Sequence, residues 1–171
     1  MQVQLNGRVA LVTGAASGIG KAAALLFAKE GAAVGVLDLD ENEVTRTVKE
    51  IEQAGGKALA LVADVSNPDQ MKRAIDALAR EYGRIDVVFA NAGINGVWAP
   101  IEELAPEEWD KTLAVNLKGT FLTVKYAVPH MKEHGGAVVV TSSVNGTRIS
   151  SNTGATAYSS SKAAQVALEL E

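Results

Sequence analysis

Short apolar, β-branched runs alternate along this chain with longer stretches in which apolar residues recur every three or four positions. The run at residues 8–13 (RVALVT) reads as a strand and ends in a glycine-rich turn. Residues 18–30 then carry Ile19, Ala22, Ala23, Leu26 and Phe27 at helical spacing, and Gly31 is placed to stop that helix. Further strands are predicted at residues 33–37, 58–62, 86–90 and 137–141. Asp40, with Glu43 three residues on, forms a capping-box pattern that opens a polar helix to Ala54, and Gly55 and Gly56 end it. Pro68 and Gly83 bracket the next helix. Pro106 opens a long helical stretch that runs, with a bend, to His134, and a last helix begins near Ala157.

This is a strand–helix unit repeated five times. Strands that read as unbroken apolar runs are buried on both faces, the mark of a parallel sheet. Right-handed crossovers then put helices on both sides of one sheet. At 171 residues, with no internal repeat and no linker-like stretch, the chain is expected to form a single domain over residues 1–171.

Composition narrows the function. Apolar residues make up 47% and charged residues 21%, which excludes wholesale disorder. Sixteen basic against 20 acidic side chains give a net charge of −4, a poor match to nucleic acid. The absence of cysteine removes disulfides, iron–sulfur clusters and thiolate zinc sites, and it fits a reducing compartment. No segment has the roughly 18 to 20 apolar residues of a membrane span, and residues 1–7 lack the build of a signal peptide. The expectation is a soluble cytoplasmic protein with neither a membrane nor a nucleic-acid partner.

Two features carry chemistry. In the turn Thr13 to Gly20, Gly14, Gly18 and Gly20 let the backbone turn sharply and approach a ligand, while Ser17 and Ile19 sit where the first helix starts. That helix offers free N–H groups and partial positive charge to a pyrophosphate. The spacing Gly-x-x-x-Gly-x-Gly differs from the common Gly-x-Gly-x-x-Gly, but its place in the first strand–helix unit supports dinucleotide binding. Asp38 ends the second strand, 20 residues beyond Gly18, where a carboxylate accepts hydrogen bonds from the adenosine ribose. It would repel a 2′-phosphate, and no lysine or arginine stands beside it in Leu37-Asp38-Leu39-Asp40, so NAD is favoured over NADP. Asp40 is read as the helix cap.

The second feature is Tyr158 with Lys162, a phenol and an ammonium four residues apart on one helix face. A free tyrosine titrates near pH ~10. A neighbouring ammonium stabilises the phenolate and brings such a group into range as a general acid/base.

Thr13 to Gly20, Asp64-Val65, Asn91-Ala92-Gly93, Asn116, Ser143, Tyr158 and Lys162, in that order, resemble the short-chain dehydrogenase/reductase family over nearly the whole chain. The resemblance implies a doubly wound α/β, Rossmann-like fold with five parallel strands in the order 3-2-1-4-5. Tyr158 would exchange the proton with the substrate oxygen, which Ser143 would position. Lys162 would bind the nicotinamide ribose and lower the Tyr158 pKa. Asn116 would hold a helix bend and a relay water. Asp64 would bond the adenine amino group with Val65 packed nearby, and Asn91, Ala92 and Gly93 would line the cofactor cleft and steady the central strand. Ser142 is an alternative to Ser143, although the Ser-Val step matches the family better. Ser143 lies 15 residues before Tyr158, two more than the commonest family spacing, which puts a small bulge in the intervening loop.

The activity implied is NAD(H)-dependent interconversion of a secondary alcohol and a ketone. An NADPH-type 3-oxoacyl reductase and a nucleotide-binding fragment without turnover are the alternatives. Family chains continue past this last helix through two more strands and a loop that close over the nicotinamide, so the fifth strand is expected to form an abnormal sheet edge. A homodimer or homotetramer is expected from the series Leu117, Phe121, Val124 and Val128. His130 and His134 read as solvated helix residues, and no metal site is expected. Trp98 either lines the substrate pocket or simply packs. Trp109 reads as core, and Glu102, Glu103, Glu107 and Glu108 as a solvated face.

Overall fold

The computed structural model describes residues 5–148 and 154–168. Five parallel strands, β1 (Val9–Thr13), β2 (Ala33–Asp38), β3 (Lys57–Val62), β4 (Val87–Ala90) and β5 (Ala137–Val140), form one sheet in the order β3-β2-β1-β4-β5. The helices are α1 (Gly18–Lys29), α2 (Glu41–Gln53), α3 (Pro68–Tyr82), α4 (Pro106–Leu113), α5 (Gly119–Ala127) and α6 (Thr156–Leu168). The doubly wound Rossmann-like architecture is as expected.

Alternation along the inner strands makes two cores. Val9 and Leu11 of β1, Leu37 of β2 and Val88 of β4 pack with Met71, Ile75 and Leu78 of α3 and Leu122 of α5. Ala10, Val12, Val34 and Val36 face the other way, against Ala24 and Ala28 of α1 and Val44 and Ile51 of α2. Each inner strand is therefore covered twice, which favours an unbroken apolar run. β3 and β5 stand at the sheet edges, as the expected order puts them, with one neighbour each; what departs from the rule is their cover, since Val138 and Val139 are 41% and 51% exposed. Their apolar runs look like inner strands because an edge is set by what lies alongside, not by the strand itself.

Local signals account for most boundaries. The Asp40 carboxylate accepts from the N–H groups of Asn42 and Glu43 and caps α2. The capping box is only half made, because Glu43 pairs with Arg46 instead. Asn67 caps α3 ahead of Pro68, and Gly83 ends it at φ +79°. The stretch that opens at Pro106 runs on as helical turns to His130, and the expected bend has a π-bulge at its centre. A π-helical turn, Ala114–Lys118, separates α4 from α5, and a 3₁₀ turn, Val128–His130, ends α5. Trp109 is half-buried on α4, a correction to its reading as core, because Thr112 is the residue that this short helix fully buries. His130 meets Asp76 of α3 at 3.0 Å. Asp86, before β4, is 3% exposed and bonds Arg8, Arg84 and the Val9 N–H. Among the described residues no helix is long and apolar enough to cross a membrane.

Candidate cofactor and active site

The sheet order reverses between β1 and β4, and ligands of open parallel sheets bind outside the carboxyl ends of the strands at such a point. Polar side chains brace the strand ends there. Thr13 closes β1, and its Oγ1 accepts from the N–H groups of Asn91 and Ala92 at 3.0 and 3.1 Å. Asn91 Nδ2 returns a bond to the Thr13 carbonyl at 3.2 Å, and Asn91 Oδ1 accepts from Thr141 Oγ1 at 3.0 Å.

At Gly14 and Gly20 the turn after β1 has no room for a side chain. Gly14 has φ +65°, and a Cβ on it would stand 3.0 Å from Ala92 Cα. A Cβ on Gly20 would meet the Gly14 carbonyl oxygen at 2.0 Å. Ser17 precedes α1 without making a side-chain cap bond, so the first-turn N–H groups of this 12-residue helix are not capped by it. Such a cradle fits a pyrophosphate.

Asp38 stands beside this turn. Its Oδ2 accepts from the Ala16 N–H at 3.0 Å and its Oδ1 from the Leu39 N–H at 2.7 Å. After β3, Asp64 Oδ1 accepts from the Ser66 N–H and hydroxyl, at 2.8 and 2.7 Å. Val65 is 7% exposed and packs against Gly119 at the start of α5, where a Cβ would meet its Cγ2 at 2.8 Å.

A cleft of about 840 Å³ joins these parts to α6. It is lined by Gly14, Ser17, Gly18 and Ile19 from the turn, by Asp38, Asp64 and Val65, by Asn91, Ala92 and Gly93, and by Tyr158 and Lys162. Gly20 supports the turn from behind, and Asn116 stands behind Gly93 and Ile94. Ser143 is not among the lining residues. Its Oγ accepts from the Asn145 N–H at 3.2 Å and caps the 3₁₀ turn Val144–Gly146. Ser142 is committed to the Lys162 carbonyl at 2.9 Å. Most of the loop bulge read from the Ser143–Tyr158 spacing, residues 149–153, lies outside the described residues. Trp98 is 52% exposed, bonds the Asn95 carbonyl and does not line the cleft.

Lys162 is 3% exposed. Its Nζ donates to the Thr141 carbonyl at 2.7 Å and lies 5.6 Å from the Tyr158 ring centroid. Burial lowers its pKa below the usual lysine value. An ammonium has three protons, so two remain for a ligand or a water. Asn116, in the π-helical turn, is fully buried. Its Oδ1 accepts from the Ile94 N–H at 2.8 Å, and its Nδ2 donates to the Ile94 carbonyl at 2.9 Å and to Ser161 Oγ at 3.0 Å. Sequence reasoning missed Thr141, Ser161 and Lys111, which brace or line the site, and named Thr13 only as the start of the turn. The hydroxyl residues stand next to singled-out positions, and only the tertiary contact marks their role.

The profile of the family described as short chain dehydrogenase matches residues 8–170. The chain belongs to this family. The 3-oxoacyl-(acyl-carrier-protein) reductase of Thermotoga maritima is 43% identical over 167 residues, covering 97% of this chain and 67% of the relative. The cyclohexanol dehydrogenase of an Acinetobacter species is 41% identical over 147 residues, covering 85% of this chain and 59% of the relative. Among solved structures, a 3-ketoacyl-ACP reductase from Sinorhizobium meliloti superposes with a TM-score of 0.91 at 56% identity, covering 94% of this chain and 63% of that one. An NAD⁺-bound xylitol dehydrogenase superposes with a TM-score of 0.92 at 33% identity, covering 97% and 64%. The chain spans about half to two thirds of the length of the curated relatives it matches. The short-chain dehydrogenase core thus accounts for the whole described sheet.

Proposed function

We propose that this chain is the single-domain nucleotide-binding and proton-transfer core of an NAD(H)-dependent oxidoreductase that interconverts a secondary alcohol and a ketone. The observation that carries the reading is the shared cleft: the glycine turn, Asp38 and the Tyr158–Lys162 pair all open onto it. A nicotinamide dinucleotide held there supplies the hydride acceptor for the alcohol or the hydride donor for the ketone. The turn holds the pyrophosphate, and Ser17, Gly18 and Ile19 stand at the helix that faces it. Asp38 accepts the ribose hydroxyls, and Asp64 with Val65 borders the adenine. Asn91, Ala92 and Gly93 form the wall between the two halves.

Tyr158 takes the hydroxyl proton during oxidation and returns it during reduction. Lys162, fixed by the Thr141 carbonyl, directs its remaining protons to the nicotinamide ribose and holds positive charge beside the Tyr158 ring. Ser143 stands outside the cleft lining and spends an oxygen lone pair on the Asn145 N–H, so its own proton is the one left for the substrate oxygen, the role that the family resemblance gives it. Asn116 fixes the bend and the Gly93–Ile94 backbone.

Two similarities favour a second reading, reduction of a 3-oxoacyl thioester. The Thermotoga and Sinorhizobium proteins carry that name at 43% and 56% identity. Calorimetric titration of both dinucleotides, with turnover on secondary alcohols and 3-oxoacyl thioesters, separates the readings. Tighter NAD⁺ binding with alcohol turnover supports the first. Tighter NADPH binding with thioester turnover replaces it, and binding without any turnover leaves a nucleotide-binding fragment.

The proposal includes self-association. Leu113 and Leu117 line an apolar groove with Phe121, which is 45% exposed. Light scattering that gives a monomer mass at micromolar concentration rejects it. It also places the protein in the cytoplasm, which cell fractionation tests.

A further inference from the structure

We propose that Gln165 is a positioning residue of the oxidoreductase site: by tying α6 to the Asn116 carbonyl, it sets the depth at which Tyr158 and Lys162 stand in the cleft. The inference rests on the functional reading above. Gln165 follows Lys162 by three residues and Tyr158 by seven, so the three share a face of α6. It is fully buried. Its Nε2 donates to the Asn116 carbonyl at 2.8 Å and to Thr120 Oγ1 at 2.7 Å. Thr120 Oγ1 donates to the same carbonyl at 2.7 Å. A carbonyl only accepts, so the orientation of the Gln165 amide is dictated by this contact.

That orientation leaves Gln165 Oε1 buried with no partner among the described residues. An orphaned buried acceptor destabilises a fold. Methionine or leucine would fill the same space without it, so stability alone does not account for an amide here. The contact with Asn116 does. Asn116 grips both polar groups of Ile94 and the Ser161 hydroxyl. The neighbouring Gly93 backbone lies against Lys162, where a Cβ would stand 3.6 Å from Nζ. Gln165, Asn116, Gly93–Ile94 and Lys162 thus form a closed mechanical loop. Without the amide, the grip of the π-helical turn on α6 is reduced to the Ser161 hydroxyl, and a small shift of the helix displaces Tyr158 relative to Lys162, which Thr141 still holds. A misplacement of about 1 Å costs roughly 10²-fold in rate, so even a fraction of that shift is measurable.

The test compares wild-type protein with Gln165→Met, which matches the side chain in length, and Gln165→Leu, which fills the space with a branched chain. Melting temperature, the dissociation constant for NAD⁺, kcat, KM and the pH profile of kcat are measured with a secondary alcohol turned over by the wild type. The expected result for at least one variant is an unchanged or higher melting temperature, with NAD⁺ affinity and KM within about twofold. Its kcat should fall roughly tenfold or more with a displaced pH profile. Wild-type kcat and pH profile in a folded variant would overturn the proposal. Two variants that fail to fold would make Gln165 a folding residue and overturn it as well. A wild-type protein that turns over no alcohol or ketone with either dinucleotide overturns the functional reading itself, and this inference with it.

Discussion

Replacing Asp38 by asparagine separates its charge from its place in the fold. Asp38 accepts from the Ala16 N–H at 3.0 Å and from the Leu39 N–H at 2.7 Å, so it braces the phosphate turn as well as facing the cleft. Asparagine keeps one acceptor oxygen for these donors, whereas alanine removes both and orphans an N–H within the turn. A hydrogen bond to a charged acceptor is worth about 1.5–3 kcal/mol, against about 0.5–1.5 for a neutral one. Asp38→Asn should therefore weaken NAD⁺ binding by about 1.4 kcal/mol, or roughly tenfold. A 2′-phosphate a few ångströms from the carboxylate feels a repulsion of several kcal/mol at an effective dielectric of about 20. Salt screening at this open site reduces it to the order of 1–2 kcal/mol, so loss of the charge should improve NADP⁺ binding by roughly tenfold. The preference for NAD⁺ should then fall about 100-fold, and more at low salt than at high. Asp38→Ala should narrow the gap too but weaken both dinucleotides, because the turn loosens. Calorimetric titration of both dinucleotides at two salt concentrations reads all of these. An unchanged preference in Asp38→Asn, or a wild type with no preference for NAD⁺, would refute the reasoning.

Tyr158→Phe keeps the ring and loses the hydroxyl; kcat should fall by about 10²-fold or more with NAD⁺ affinity within about twofold, and a near-normal kcat in steady-state assays would assign the proton to another group. Gly20→Ala places a Cβ 2.0 Å from the Gly14 carbonyl oxygen, so calorimetry should find dinucleotide binding weakened by at least about tenfold. Burial pushes the Asp86 carboxyl up, but Arg84, Arg8 and the Val9 N–H outweigh it and hold the pKa below the usual carboxylate value. Its contribution to stability is therefore complete above the unfolded value near pH 3.9 and is lost as pH falls through the lower folded one, so urea midpoints of Asp86→Asn should show a shallower acid decline than wild type below about pH 4.

The inner strands were legible because burial on both faces leaves an unbroken apolar run, as in residues 8–13. The same argument fails at β3 and β5, where an apolar run reads identically whether or not a neighbour covers it. The helix starts at Asp40 and Pro68 were legible because their signals act within three residues along the chain. The bend at Asn116 was anticipated from the resemblance, but not its π-helical form. The π-helical turn there is stabilised by Ile94, Ser161 and Gln165, which lie 22 to 49 residues away in sequence. Ser143 matched a pattern, but its hydroxyl also serves as a local cap, a competition that a motif does not display. Trp109 was misread because an amphipathic pattern does not say how deeply a short helix sinks its apolar face, and α4 fully buries Thr112 but not the indole.

The legible and hidden residues meet in one hydrogen-bonded chain across the strand ends. Lys162 donates to the Thr141 carbonyl, Thr141 Oγ1 to Asn91 Oδ1, and Asn91 Nδ2 to the Thr13 carbonyl. Thr13 leads directly into Gly14 and the phosphate turn. The two ends of the cleft are thus joined by hydrogen bonds among β1, the segments after β4 and β5, and α6. Each donor in this chain has a fixed acceptor, so the distance from turn to ammonium is set before any ligand arrives. A site ordered in this way avoids much of the entropy cost of arranging cofactor and proton-transfer groups at the moment of reaction. It also explains why the residues involved are polar yet half-buried or buried: at a strand terminus the ladder bonds run out, and side chains must satisfy the freed backbone groups.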